Sequence, residues 1–386
     1  MCQFLSLLAL SLLLTITACG GESAPLSSDA AVPVEGDSAL APPASDDATI
    51  GADSKGSAYD FAALARHVDD NLDNFLGKVY VAFVRDGELL FEYSAGGTDE
   101  NTVFPMGSAS KWISAGVILR LAEQGHYDLH DRVGDHLPIF DTYEKGDFTI
   151  RQAFGMSSGL FDASRPHTNS ALTLEQSVNI IAAKTAVLFD PPGSSIAYDG
   201  KQMQVVGRIA EMTTGVEWRK LAHDTLFAPC GMEDTHYDVF GTNPAVAGGI
   251  TTTAKDYLAY LRMLQNGGRC GDAQVLKPES IAIMFDNYTD DAPVLETPWP
   301  SNHPLYPYGK DDLRYGFGSW LLAENPDTGE VEELTSPGAW GSFPWLDAKR
   351  GVYGVILTDV PLANGGFQAV LDVDLELLSL LRDAWE

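Results

Sequence analysis

"FPMGSASKWISAGVILRLAEQG" (residues 104–125) is the stretch on which the reading of this chain turns. It sets Ser108, Ser110 and Lys111 at the mouth of a long apolar run. Trp112, Ile113, Val117, Ile118, Leu119 and Leu121 cover most of a helical circumference, so the helix is expected at the centre of the molecule. Gly125 is a natural stop. Positions i and i+3 share a helix face, so Ser108 and Lys111 project together. A serine hydroxyl is a weak nucleophile until a neighbouring base accepts its proton. A lysine is such a base only when neutral, and apolar surroundings push it that way. The helix N-terminus discourages a second positive charge and offers free N–H groups to a developing oxyanion. Ser-x-x-Lys also arises by chance, so its neighbours carry the reading.

Outward from this helix, "KVYVAFVRDGELLFEYSAGG" (78–97) alternates about Asp86-Gly87, a hairpin signal. Downstream, Thr173-Leu-Glu-Gln176 reads as a capping box ahead of a helix over 174–185. A helix over 201–214 is expected to end at Gly215, and Thr253 caps another over 254–266. The period returns to two in "RYGFGSWLL" (314–322) and "GVYGVILTDV" (351–360), and 367–386 reads as a closing helix. The expectation is an α+β fold. Its sheet comes from about 59–110 and 310–386, is flanked by helices, and carries a mostly helical subdomain over about 111–309.

The chain has 386 residues, 45% of them apolar, and a formal net charge of −30 from 54 acidic and 24 basic side chains. Such a surface repels phosphate backbones, which excludes nucleic acid as a partner. Residues 4–18 form an apolar leader too short for a permanent span. It ends in Ile16-Thr17-Ala18-Cys19, which resembles the lipobox of bacterial lipoproteins, although "MCQF" lacks the usual positive charge. That resemblance implies a signal peptide over 1–18, lipidation at Cys19 and an exported protein facing the periplasm or cell exterior. The lipid anchor is then the only membrane contact. Residues 19–58, rich in Ser, Ala, Pro and Asp, read as a disordered tether, and 59–386 as the catalytic domain.

Two other constellations compete. Gly155-Met-Ser157-Ser-Gly159 satisfies a Gly-x-Ser-x-Gly elbow, but "FTIRQAF" is a poor buried strand before it, and the last histidine is His303. His126, His130 and His136 lack the glutamate of a zinc helix and sit where Gly125 predicts a loop, so no metal site is expected. Cys230 and Cys270 remain after the leader, an even pair in an oxidising compartment; a disulfide and two buried thiols both stay open.

The Ser108/Lys111 spacing resembles the Ser-x-x-Lys motif of serine β-lactamases and penicillin-binding proteins. Further stretches resemble their class C and family VIII-type esterase branch, in the family's order. "PPGSSIAYDGKQMQVVGRIAEMTTG" (191–215) places Tyr198 at the Tyr-x-Asn tyrosine. "GHYDLHDRVGDHLP" (125–138) is similar to the loop after the nucleophile helix, and "GGITTTAKDYLAYLRMLQNGG" (248–268) to the Gly-Gly-x-x-Ser/Thr-x-x-x-Asp helix. "TSPGAWGSFPWLDAKRGVYGVILTD" (335–359) is similar to the Lys/His-x-Gly strand and the strand after it. The resemblance implies a β-lactamase/transpeptidase-like α/β sandwich with an antiparallel sheet. It also implies an acyl-enzyme mechanism that needs no metal or organic cofactor. Ser108 is then the nucleophile, Lys111 with Tyr198 the base, and the N–H groups of Ser108 and Ala339 the oxyanion donors. Gly200, Ser336, Gly338 and Trp340 fall at substrate-binding positions.

Two departures stand out. Gly200 replaces the asparagine, and Ser336-Pro337-Gly338 replaces the Lys/His-x-Gly triplet. Pro337, without an N–H, suggests an edge strand facing a cleft. Lys201 is a candidate for the missing cation, and Phe343 and Trp345 join Trp340 as candidates for an acyl pocket. The substrate is expected to be a small ester or amide. β-Lactamase or D-amino-acid peptidase activity is the alternative, and a non-catalytic envelope ligand-binding protein is the alternative of another class.

Overall fold

A computed structural model describes residues 61–288, 292–300, 313–325 and 327–384. The leader, Cys19 and the tether lie outside the described residues, all of which belong to the compact unit Ser45–Glu386. The core is a seven-stranded sheet of β1 (Val79–Arg85), β2 (Glu88–Ala95), β3 (Arg314–Tyr315), β4 (Trp320–Glu324), β5 (Val331–Thr335), β6 (Phe343–Asp347) and β7 (Val352–Thr358). Their order is β3-β4-β5-β6-β7-β1-β2, antiparallel throughout. The first and last thirds of the domain therefore meet in one sheet, with Val79 opposite Thr358. β7 is buried along its whole length and β1 nearly so, hence their unbroken apolar sequence. Asp86 and Gly87 both take positive φ at the hairpin tip.

Seven longer helices surround or follow this sheet: α1 (Ala62–Asp70), α2 (Ser110–Glu123), α3 (Leu174–Lys184), α4 (Lys201–Thr214), α5 (Ala254–Gln265), α6 (Pro278–Phe285) and α7 (Phe367–Asp383). Every residue of α2 from Ser110 to Leu119 is buried, as a helix apolar on all sides must be. The sequence signals account for several boundaries. Thr173 and Gln176 close a reciprocal capping box, Thr253 Oγ1 accepts from Asp256 N–H, and Gly215 ends α4 in the left-handed conformation. The structure joins Cys230 to Cys270, with Cα atoms 5.0 Å apart.

Two local expectations are corrected. The run 314–322 is not one strand: residues 316–319 form a turn between β3 and β4, where Gly318 N–H donates to Phe154 C=O. The strand before Pro337 is not an edge. β5 is interior, and its ladder closes at the pair Thr335–Trp345, so Pro337 lies beyond the last bond and removes none.

Candidate active site

The nucleophile turn is built backbone on backbone. Residues 107–109 form one 3₁₀ turn that runs directly into α2. Met106 N–H donates to Ile250 C=O at 2.9 Å, and Ser110 Oγ accepts from Ile250 N–H at 3.1 Å, which pins the turn to the short strand Ile250–Thr252. Gly107 has φ +50°, and a Cβ there would lie 2.7 Å from Ala339 N and 3.1 Å from the Trp340 ring. The missing side chain thus lets the 338–340 turn close on the nucleophile. Ser108 N–H, near the start of the helical run, has no intrahelical partner. Among the described residues, Ala339 N–H has no acceptor either. Both flank the half-buried Ser108 side chain and remain available to an incoming oxygen.

Lys111 is buried, and its Nζ lies 2.9 Å from Ser108 Oγ and 2.9 Å from Ala247 C=O. Burial lowers its pKa to about 7; the Asp199 carboxylate opposes that shift and the Arg165 guanidinium adds to it. A neutral Lys111 can give one hydrogen to Ala247 C=O and turn its lone pair to the Ser108 hydroxyl. Tyr198 follows the short strand Ile196–Ala197. Its ring lies 4.7 Å from Lys111 Nζ, stacks on Trp320 at 5.1 Å, and meets Tyr315 edge-on at 5.7 Å. Its hydroxyl is in hydrogen-bond reach of Ser108 and Trp320, yet burial still holds its pKa well above the usual tyrosine range. Ser108 and Lys111, one helical turn apart, therefore meet Tyr198 from a second, distant segment.

The substrate-binding positions fare differently. Ser336 is buried and donates to Ser108 C=O at 3.1 Å, so it braces the nucleophile and does not face the cleft. Gly338 borders a small apolar pocket of about 80 Å³ beside Ser108, walled by Trp299, Trp320 and Phe367. Trp340 lines a second cleft of about 480 Å³ over Ser108 and Lys111. Gly200 lines the same cleft, but its Cβ position is taken: a side chain there would meet the His167 ring at 2.8 Å and Ala247 Cβ at 3.0 Å. The imidazole of His167 thus occupies the space that the sequence leaves empty at position 200. His167 is buried, and burial with nearby cations drives its pKa down to about 3, so it is neutral. Lys201 is not the missing cation. It is wholly buried, with Nζ 2.7 Å from Asp199 Oδ2 and 3.4 Å from Asp162 Oδ1, and points away from the cleft into that network. Phe343 and Trp345 are core residues of β6; Trp345 Nε1 donates to Glu333 at 2.9 Å.

Four contributors escaped the sequence reading: Arg165, His167, Trp299 and Trp320. Trp320 carried the alternation of a strand, but Arg165 and His167 sit at and in a single 3₁₀ turn (Pro166–Thr168) too short to show a period, and only folding brings them to the cleft of Ser108. The competing sites fall apart. Ser157 follows a helical turn (Ile150–Phe154), not a strand, and its hydroxyl contacts Gln152 C=O at 3.4 Å. His136 pairs with Asp131 at 2.9 Å, and among the described residues no cluster of ligating side chains could hold a metal ion.

Known proteins resemble this chain in sequence and in fold. A family model described as "Beta-lactamase" matches residues 64–378. "Penicillin-binding protein 4" of Amycolatopsis lactamdurans is 26% identical over 299 residues, covering 66% of this chain and 77% of that protein. A "Lovastatin esterase" of Penicillium rubens is 23% identical over 235 residues, about half of either chain (50% and 55%). Among solved structures, a putative β-lactamase from Bacteroides dorei superposes with a TM-score of 0.72 at 27% identity, over 84% of this chain and 99% of the other.

Proposed function

Because this chain belongs to the β-lactamase family of serine hydrolases, we propose that it cleaves carboxylic esters or small amides through an acyl-enzyme on Ser108. Lys111 removes the Ser108 proton as Oγ attacks the substrate carbonyl carbon. The carbonyl oxygen takes up negative charge and is held by the N–H groups of Ser108 and Ala339. Collapse of that adduct breaks the bond to the leaving group, which receives the proton from Lys111 by way of the Tyr198 hydroxyl. Water then attacks the acyl-enzyme by the same route, regenerating Ser108 and releasing a carboxylic acid. The base role falls to Lys111, since its pKa is brought to about 7 while that of Tyr198 is raised; Tyr198 acts as a neutral proton relay.

The observation that carries this reading is a buried lysine amine 2.9 Å from a half-buried serine hydroxyl, beside a peptide N–H with no acceptor among the described residues. The lean toward esters rests on positions 200 and 336. Neither supplies, at its own position, the amide or cation that the β-lactamase motifs place there, so a contact worth roughly 1.5–3 kcal/mol to a β-lactam carboxylate is missing from that side of the cleft. An exported, Cys19-lipidated protein on a tether is part of the same proposal. Labelling by a serine-reactive fluorophosphonate, lost in Ser108→Ala, is the test. Labelling that survives there and disappears in Ser157→Ala overturns the assignment. On one preparation, a short-chain p-nitrophenyl ester should be turned over with a higher kcat/KM than a chromogenic cephalosporin; the reverse order refutes the ester lean.

A further inference from the structure

The cleft over Ser108 contains a cation that the reaction just described does not consume. Arg165 is exposed and lines the 480 Å³ cleft together with Ser108, Lys111, Tyr198 and Trp340. Its side chain has no ion pair or hydrogen bond to any described residue. Other arginines, such as Arg132, Arg208 and Arg350, are paired with carboxylates. The nearby acids are already engaged: Asp199 and Asp162 both hold Lys201. The backbone beneath Arg165 is anchored. Pro166 and His167 are buried, and Asn243 Nδ2 donates to Pro166 C=O at 3.2 Å while its Oδ1 accepts from Gln204 at 2.6 Å. A guanidinium with no partner among the described residues thus lines the nucleophile's cleft from an anchored backbone.

We propose that Arg165 is a specificity-determining residue that binds a carboxylate carried by the substrate, so that this site prefers anionic esters or amides. The substrate preference rests on Ser108 being the nucleophile of the cleft; carboxylate binding by Arg165 does not. A guanidinium presents two parallel N–H groups that match the two oxygens of a carboxylate. One guanidinium suits one negative charge, and Trp340, which lines the same cleft, adds apolar surface to it. The carboxylate has two possible sources, the acyl arm or the leaving-group arm, and both place the charge in this cleft.

Two matched substrate pairs on the purified protein test the idea. 4-Nitrophenyl hydrogen adipate against 4-nitrophenyl hexanoate puts the charge on the acyl arm; 4-acetoxybenzoate against 4-acetoxybenzamide puts it on the leaving group. In at least one pair, R165Q should lower the anionic-to-neutral ratio of kcat/KM by about tenfold or more, mainly through KM, and R165K should recover part of it. The pair that responds identifies the arm. An unchanged ratio in both pairs, with melting curves that match the parent, overturns the proposal even though turnover and Ser108 labelling persist. If neither pair is turned over, the same variants are compared by protection against unfolding with 4-hydroxybenzoate and 4-hydroxybenzamide. Protection by the anion alone, lost in R165Q, then supports Arg165 while sinking the catalytic reading; equal protection in parent and R165Q sinks Arg165.

Discussion

Gly107→Ala isolates the step that assembles the oxyanion site. The added methyl would stand 2.7 Å from Ala339 N and 3.1 Å from Trp340 Cε3, about 0.7 Å inside ordinary contact with the first. The chain must also hold an alanine at φ +50°, a left-handed conformation that costs roughly 1–2 kcal/mol. Relief moves either Ala339 N–H or the nucleophile turn, and a shift of this size takes a donor out of the 2.7–3.1 Å range in which it acts. Losing one oxyanion donor lowers kcat by about 10²–10³-fold. The control is Gly125→Ala at the end of α2, where φ is +80° and no atom lies within 4 Å of the new Cβ. It pays the backbone strain without the clash. Turnover of a p-nitrophenyl ester and urea unfolding of both variants separate the two effects. Gly107→Ala should lose turnover and stability, and Gly125→Ala stability alone. Parental kcat in Gly107→Ala, or an equal loss of kcat in Gly125→Ala, refutes the packing account of the oxyanion site.

Three further outcomes concern the base, a buried acid and the disulfide. Since Lys111 must be neutral to accept a proton and its pKa lies near 7, kcat/KM should rise with pH through a midpoint near that value. Lys111→Arg, which cannot deprotonate, should cost at least 10²–10⁴-fold, and a flat profile between pH 5 and 9 would speak against this base. Asp374 on α7 is wholly buried, neither carboxylate oxygen has a partner among the described residues, and burial raises its pKa far above the usual range. The folded state therefore holds a proton that the unfolded chain releases, so stability is full below the ordinary carboxyl range and declines as pH rises above it. Asp374→Leu should gain about 1–3 kcal/mol at pH 7 by chemical unfolding, and less near pH 4; no gain at pH 7 contradicts an unpartnered acid. Finally, the Cys230–Cys270 bridge spans 40 residues, and chain entropy alone allows it about 4 kcal/mol. Urea midpoints with and without reductant should differ, and equal midpoints after reduction verified by mass count against the bridge.

What the sequence determined by itself was local and chemical. The period of 104–125 announced a helix buried on all sides, and α2 is that helix. Thr173, Thr253 and Gly215 marked ends because capping is a matter between a side chain and the backbone within one turn. The i, i+3 spacing brought Ser108 and Lys111 to one face, because helical geometry alone dictates that neighbourhood. The partnership with Tyr198 and Ala339 was legible only through family resemblance, since 90 residues of chain separate Ser108 from Tyr198 and no spacing rule crosses that gap. The tertiary structure alone decided the rest. It turned the Ser336 hydroxyl toward Ser108 C=O, locked Lys201 into a buried pair with Asp199, and filled the vacancy at Gly200 with His167. It also brought Arg165, unpaired among the described residues, to the cleft of the nucleophile. Each outcome depends on which groups from distant segments reach the same few ångströms first. Burial, competition for hydrogen bonds and the room left by a missing Cβ are properties of the packed chain, not of any window along it.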